Sequence, residues 1–252
     1  MLDLFSLEDK VAIVTGASRG IGKAIAVGFA RAGADVVIVA RTNLEETEAL
    51  IRETGRRCLK IYADLFDIDN AKKLIIGETL REFGKIDILV NNAGIQRRNP
   101  AFVFTEKDWD DVIHINLKVV FLLSQAASNV MKERGWGKII NMASMLSFQG
   151  GIFVPAYAAS KGGVAQLTKA LANEWAKYGI NVNAIAPGYI DTEMNKALIA
   201  DEVRNRQILE RIPAGRWGKP EDIVGGAIFL ASHASDYVNG HILCIDGGWL
   251  AR

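Results

Sequence analysis

Tyr157 and Lys161 stand four residues apart in Pro155-Ala-Tyr157-Ala-Ala-Ser-Lys161. On a helix that spacing brings both side chains out on one face, one turn apart. A phenol beside an ammonium can exchange a proton with a reacting oxygen. The ordinary phenol pKa of roughly 10 must then be favoured toward the phenolate by about 3 units, or roughly 4 kcal/mol. An exposed ion pair supplies only about 0 to 1 kcal/mol. The pair therefore requires a water-poor cleft and further positive charge.

The elements around it are those that build such a cleft. Lys10 to Thr15 is a short apolar, β-branched run, as expected for a strand buried on both faces of a parallel sheet. It leads into Gly16-Ala-Ser-Arg-Gly20-Ile-Gly22 and a helix that stops at Gly33. Strand, glycine turn and helix N-terminus form a receptacle for a pyrophosphate, although the spacing departs from Gly-x-Gly-x-x-Gly. Asp35 to Ala40 is a second strand ending at Arg41, and Thr42-Asn-Leu-Glu45 has the pattern of a capping box opening a helix to about Thr54. Where dinucleotide folds place an acid for the ribose, this strand presents Arg41. With Arg19 it can flank a 2′-phosphate, which favours NADP over NAD; Glu45 or Glu46 remains available to a ribose.

Further strands are expected at Cys58 to Ala63, Ile86 to Val90, Lys138 to Met142, Ile180 to Ala186 and His241 to Ile245, with helices between them. Successive βα units imply a doubly wound parallel α/β sheet with ligands at the carboxyl ends of its strands. Thr105 caps a long helix to about Arg134 that holds Asn116 in its interior, crowded by Ile113, Ile115, Leu117 and Val119. Such an Asn is expected to be buried with partners. The helix carrying Tyr157 includes Gly162 and Gly163. Each costs roughly 1 kcal/mol there, which implies close packing against them.

Length fits one domain spanning residues 1 to 252, with a substrate-facing segment around 188–218. Lys plus Arg (30) balances Asp plus Glu (29), which gives no electrostatic case for nucleic acid or an acidic membrane. Cys58 and Cys244 lack the spacing of a zinc site or disulfide framework, and no metal site is expected. The first residues lack the pattern of an export signal and no run reaches membrane-span length, so the expected location is a reducing cytoplasm.

Together Thr15 to Gly22, Asn91-Asn92-Ala93-Gly94, Asn116, Ser144, Tyr157-Ala-Ala-Ser-Lys161 and Pro187-Gly188 resemble the short-chain dehydrogenase/reductase family, in order and across nearly the whole chain. The resemblance implies a single Rossmann-type domain with seven parallel strands and helices on both faces, a nicotinamide dinucleotide, a homotetramer and a catalytic tetrad of Asn116, Ser144, Tyr157 and Lys161. Ser144 would hold the substrate oxygen, Tyr157 would move the proton, Lys161 would lower the phenol pKa and hold the nicotinamide ribose, and Asn116 would hold a relay water. Cofactor contacts would come from Gly16, Ser18, Arg19, Gly20, Ile21, Gly22, Arg41, Tyr157, Lys161, Pro187 and Gly188. Asp64 and Leu65 would meet the adenine, Asn92, Ala93 and Gly94 the adenosine ribose, and Ile190 and Thr192 the carboxamide and phosphates.

Within that family Gly94 to Arg98, Ser144 to Gly151, Ile185 to Tyr189, Arg211 to Gly218 and Asp246 to Trp249 are similar to the branch acting on sugar acids. Ser144 to Gly151 is closer to the members acting on 2-dehydro-3-deoxygluconate, and Gly94 to Arg98 to those acting on gluconate. Arg97 or Arg98 can bind a carboxylate in bidentate fashion, and Gln149 and Tyr189 can hydrogen-bond sugar hydroxyls. A 3-oxoacyl-carrier-protein reductase shares the tetrad and is the rival activity. A non-catalytic dinucleotide sensor would not need all four tetrad residues.

Overall fold

Seven apolar runs become one all-parallel sheet: β1 (Val11–Thr15), β2 (Asp35–Ala40), β3 (Cys58–Tyr62), β4 (Ile88–Asn91), β5 (Gly137–Met142), β6 (Ile180–Pro187) and β7 (Ile242–Ile245). The computed structural model describes residues 2–252. The strand order is β3-β2-β1-β4-β5-β6-β7, so the winding reverses between β1 and β4 and leaves a crevice at their carboxyl ends. Nine α-helices are described: α1 (Gly20–Arg31), α2 (Glu45–Arg52), α3 (Ile68–Phe83), α4 (Glu106–Ile113), α5 (Val119–Arg134), α6 (Pro155–Trp175), α7 (Lys196–Ala200), α8 (Glu202–Arg211) and α9 (Pro220–Ala231).

The period of two along each strand divides the core into two layers. Ala12, Val14, Val36, Ile38, Ile88 and Val90 face α1 and α9, meeting Ile25, Phe29, Ile223 and Leu230. Val11, Ile13, Val37, Val39 and Leu89 face the other side, meeting Ile75 of α3, Leu123 of α5 and Leu171 of α6. Covering both faces is what makes the central strands β1, β2 and β4 read as nearly continuous apolar runs.

Polar side chains lock the crevice. Thr15 Oγ1 donates to Val90 O (3.2 Å) and accepts from the N–H groups of Asn92 and Ala93 (3.0 Å each). Asn92 Nδ2 donates back to the carbonyls of Thr15 (2.9 Å) and Gly16 (3.2 Å). Farther along, Asn91 Nδ2 donates to Asn141 Oδ1 (2.9 Å), and Asn141 Nδ2 to Thr168 Oγ1 (3.0 Å). This buried chain runs from β4 through β5 into α6. A Cβ on Gly22 would fall 2.3 Å from both Gly16 O and Asn92 Nδ2. Gly22→Ala is therefore expected to lower the unfolding free energy by about 1–3 kcal/mol, measured by urea titration. A cost below about 0.5 kcal/mol would show that the turn can reopen.

Four local readings change. Thr42 is not a cap: α2 starts after Leu44 with no side-chain cap, and Glu45 spends its carboxylate on the Tyr62 hydroxyl. The helix from Thr105 to Arg134 is not uniformly α, because His114–Lys118 forms a π turn between α4 and α5. The helical stretch expected between the strands at Ile180 to Ala186 and His241 to Ile245 is divided at Asp201, whose side chain accepts from the N–H groups of Val203 and Arg204 and so caps α8. Gly163 is closely packed, with the site of its missing Cβ 2.8 Å from Leu117 Cδ2, but Gly162 has nothing within 4 Å.

Among the described residues, no helix is long and apolar enough to cross a membrane.

Candidate active site

Pro155, at the first position of α6, presets the helix start, and Tyr157 and Lys161 then lie on one face. Lys161 Nζ sits 5.5 Å from the Tyr157 ring centroid. Its ammonium donates to Met142 O (2.5 Å). Lys161 is only 4% exposed, yet no carboxylate pairs with it among the described residues. Burial lowers its pKa to about 8. A buried cation with a single neutral partner is a place prepared for a polar ligand.

Ser144 ends the stretch that follows β5 and caps the 3₁₀ turn Met145–Ser147, its Oγ accepting from Leu146 N (3.1 Å). That hydrogen bond uses an oxygen lone pair and leaves the hydroxyl proton free to point at Tyr157. Ser147 was missed in the sequence. Its Oγ accepts from Ser144 N (3.3 Å) and donates to Lys161 O (2.7 Å), tying the Ser144 turn to α6.

Burial pushes the Tyr157 phenol up, and its hydrogen bond with Ser144 pulls it partly back. The lowering by Lys161 anticipated from the sequence is not present in the protein alone. Asn116 is wholly buried in the π turn: Oδ1 accepts from Ile95 N (2.9 Å), and Nδ2 donates to Ile95 O (2.9 Å) and Ser160 Oγ (3.3 Å). Its amide thereby fixes the loop after β4 against α6, behind the Tyr157 face.

These groups open onto a cleft of about 1100 Å³ that follows the carboxyl ends of the strands. Every residue the sequence assigned to a cofactor lines it, from Gly16 in the glycine turn to Thr192 after β6. Gly20 has φ +57°, and its missing Cβ faces Thr192 Cγ2 at 3.4 Å. That bare backbone at the start of α1 suits a phosphate approaching the helix N-terminus. The room, the bare turn and the unpaired Lys161 fit a dinucleotide.

At the far end of the glycine turn, Arg19 and Arg41 are exposed beside the cleft. The two acids left open for a ribose are committed elsewhere, Glu45 to Tyr62 and Glu46 to Lys23. Arg19 and Arg41 carry no salt bridge among the described residues.

The substrate residues separate. Arg97 and Arg98 line the cleft, but Arg97 is held by Asp108 (3.4 Å) and Asp111 (3.5 Å). Arg98 meets only Gln96 Oε1 (3.2 Å). Gln149 does not line the cleft and accepts from Arg211 (3.2 Å); Tyr189 lies edge-on to Trp217 and Trp249, at 5.2 and 4.8 Å. Both belong to the rim.

The short-chain dehydrogenase family model described as Enoyl-(Acyl carrier protein) reductase matches residues 16–250. The chain is 56% identical to the 2-dehydro-3-deoxy-D-gluconate 5-dehydrogenase of Escherichia coli (strain K12), over 100% of both chains. It is 46% identical to the gluconate 5-dehydrogenase of Gluconobacter oxydans (strain 621H), over 98% of this chain and 96% of that one. Among solved structures, a gluconate 5-dehydrogenase from Burkholderia cenocepacia J2315 in complex with NADP and tartrate superposes with a TM-score of 0.94 at 43% identity, over 100% of this chain and 99% of that one. With one sheet of this winding, the Tyr157 and Lys161 pair at its crevice and similarity along the full length, the chain belongs to the short-chain dehydrogenase/reductase family.

Proposed function

We propose that this enzyme interconverts a secondary alcohol and a ketone on a sugar acid of the gluconate or 2-dehydro-3-deoxygluconate type, with NADP(H) preferred and NAD(H) possible. The observation carrying the reading is the buried, carboxylate-free Lys161 beside Tyr157 and Ser144 in a cleft of dinucleotide size. When bound, the nicotinamide ring supplies or accepts the hydride and, when oxidised, adds positive charge. Ser144 donates its hydroxyl proton to the substrate oxygen. Tyr157 takes the alcohol proton at its phenol oxygen in oxidation and returns it in reduction. Lys161 holds ribose hydroxyls, with Asn116 bracing the loop and helix that face one another across the site. The segment 188–218 faces the substrate.

The whole-length relatives named for sugar acids favour this reading over an acyl-carrier reductase. Steady-state assays of 2-dehydro-3-deoxy-D-gluconate and D-gluconate, each with NAD and NADP, test it beside an acyl thioester. Turnover of the thioester alone would replace it with the rival. NADP preference rests on Arg19 and Arg41, because a guanidinium matches a phosphate in bidentate fashion. Arg41→Ala is expected to lower kcat/KM with NADP about 10- to 100-fold and leave NAD within about 3-fold. An equal loss with both cofactors would remove Arg41 from the phosphate site.

A homotetramer and a cytoplasmic location belong to the same proposal. Its support is family likeness and, for the location, two free thiols, buried Cys58 and exposed Cys244. Light scattering on the eluted protein checks the oligomer.

A further inference from the structure

Arg204, Ile208 and Arg211 recur on α8 at i, i+4 and i+7, so they share one stripe of the helix. Ile208 is buried with Met145, Ile212 and Trp249, against which Leu146 and Tyr189 pack. The stripe is therefore seated beside the turn that Ser144 caps. At one end Arg211 Cζ lies 4.0 Å above the Trp249 ring, whose other neighbour is Tyr189 at 4.8 Å.

The partners of these arginines are unusual. Arg211 donates to Gln149 Oε1 (3.2 Å) and Arg204 to Gln207 Oε1 (3.1 Å), just as Arg98 across the cleft donates to Gln96 Oε1 (3.2 Å). None of the three forms a salt bridge among the described residues, whereas Arg97 beside them holds two carboxylates. All three are close enough to Tyr189 for their charges to favour its phenolate against the upward push of burial. Guanidiniums held only by amide oxygens, with no acid paired to them, would each gain from an anion.

We infer that Arg204 and Arg211, together with Arg98, clamp the carboxylate of the substrate, so that α8 sets the preference for an acid over its neutral counterpart. The inference rests on the sugar-acid reading above. A guanidinium fork matches a carboxylate in bidentate geometry, which a single amide oxygen does not offer. The three glutamine oxygens are holding partners, given up when the acid arrives. Because Arg98 lines the cleft after β4 and the other two belong to α8, one carboxylate would join the two segments.

The test compares D-gluconate or 2-dehydro-3-deoxy-D-gluconate, whichever is turned over, with its neutral primary amide. The variants are Arg204→Gln, Arg211→Gln and the charge-keeping Arg211→Lys, with Arg206→Gln on the same helix as control. Each Gln variant is expected to raise KM for the acid about tenfold and leave kcat within about threefold. The amide should be unaffected, and Arg211→Lys should recover part of the loss. Tartrate, used as a carboxylate probe, should raise the melting temperature of the NADP-loaded wild type and of Arg206→Gln but not of Arg204→Gln or Arg211→Gln. An unchanged acid-to-amide ratio overturns the inference, and so does an equal loss on both substrates, which marks a structural role for α8. If neither acid is turned over, the substrate reading has failed. The tartrate shift then still decides whether the arginines hold a carboxylate.

Discussion

Tyr157→Phe is expected to lower kcat about 10²- to 10⁴-fold in both directions, the range contributed by a positioned acid or base. The ring stays and one oxygen goes, so the wall of the cleft is retained. Cofactor affinity should remain within about threefold and the melting temperature within about 2 °C, because the phenol accepts no backbone hydrogen bond whose loss would weaken α6. Burial holds the phenol above its ordinary value, so it is protonated at neutral pH. Reduction, which needs the acid form, should therefore be fast and nearly level from neutral pH to about 10. Oxidation needs the phenolate and should rise with pH. Stopped-flow turnover in both directions from pH 6 to 10 checks the level profile against the rising one. Parallel profiles, or a Phe variant within tenfold of wild type, would remove Tyr157 from proton transfer.

Lys161→Met is expected to abolish most activity and yet give a more stable protein. In the folded chain the ammonium has a pKa of about 8 against 10.5 when unfolded. Between those values the unfolded chain binds a proton that the folded chain does not, so stability rises with pH across that window. Below about 8 both states are charged and the full cost of burying the charge persists. At pH 7 that cost is roughly 3 kcal/mol from the size of the shift. Met fills a similar volume without charge, but leaves Met142 O without its donor, for about 1 kcal/mol. The net expectation is a gain of roughly 2 kcal/mol at pH 7 and a flat profile from pH 8 to 10.5. Urea unfolding at pH 7 and 10 measures both, while kcat/KM should fall about 10²-fold or more. A variant less stable than wild type at pH 7 would show that Lys161 stabilises the fold through a partner not yet recognised.

Much of this architecture was legible because both faces of the sheet are covered. Val11 to Val14 and Val36 to Val39 could only be apolar throughout, and that signal survives without any alignment. The glycine turn was legible for a different reason. Gly16 and Gly20 hold positive φ and Gly22 has no room for a Cβ, so few other residues tolerate those positions. Thr42 misled because a capping box is a local pattern, and Tyr62 on β3 drew Glu45 away through a contact 17 residues distant. The π turn at Asn116 was invisible, since widening a helix by one residue leaves its apolar periodicity nearly intact.

Ser147 and the α8 arginines escaped for want of a tertiary neighbour. Ser147 reads as one more loop serine until Lys161 O is found 2.7 Å away. Arg204 and Arg211 read as a solvated helix face until Ile208 shows which way that face turns. Arg97 and Arg98 were equivalent in the sequence, and only Asp108 and Asp111 tell them apart.

The buried chain Asn91, Asn141, Thr168 behaves as a key cut for one alignment. Apolar neighbours such as Ile139 and Ile140 can be exchanged for others of their kind with repacking. Amide to amide to hydroxyl cannot, since sliding β5 or α6 by one step strands a donor in a dry interior. Descendants of this sequence are thus free to drift in their greasy positions while Tyr157 stays aimed.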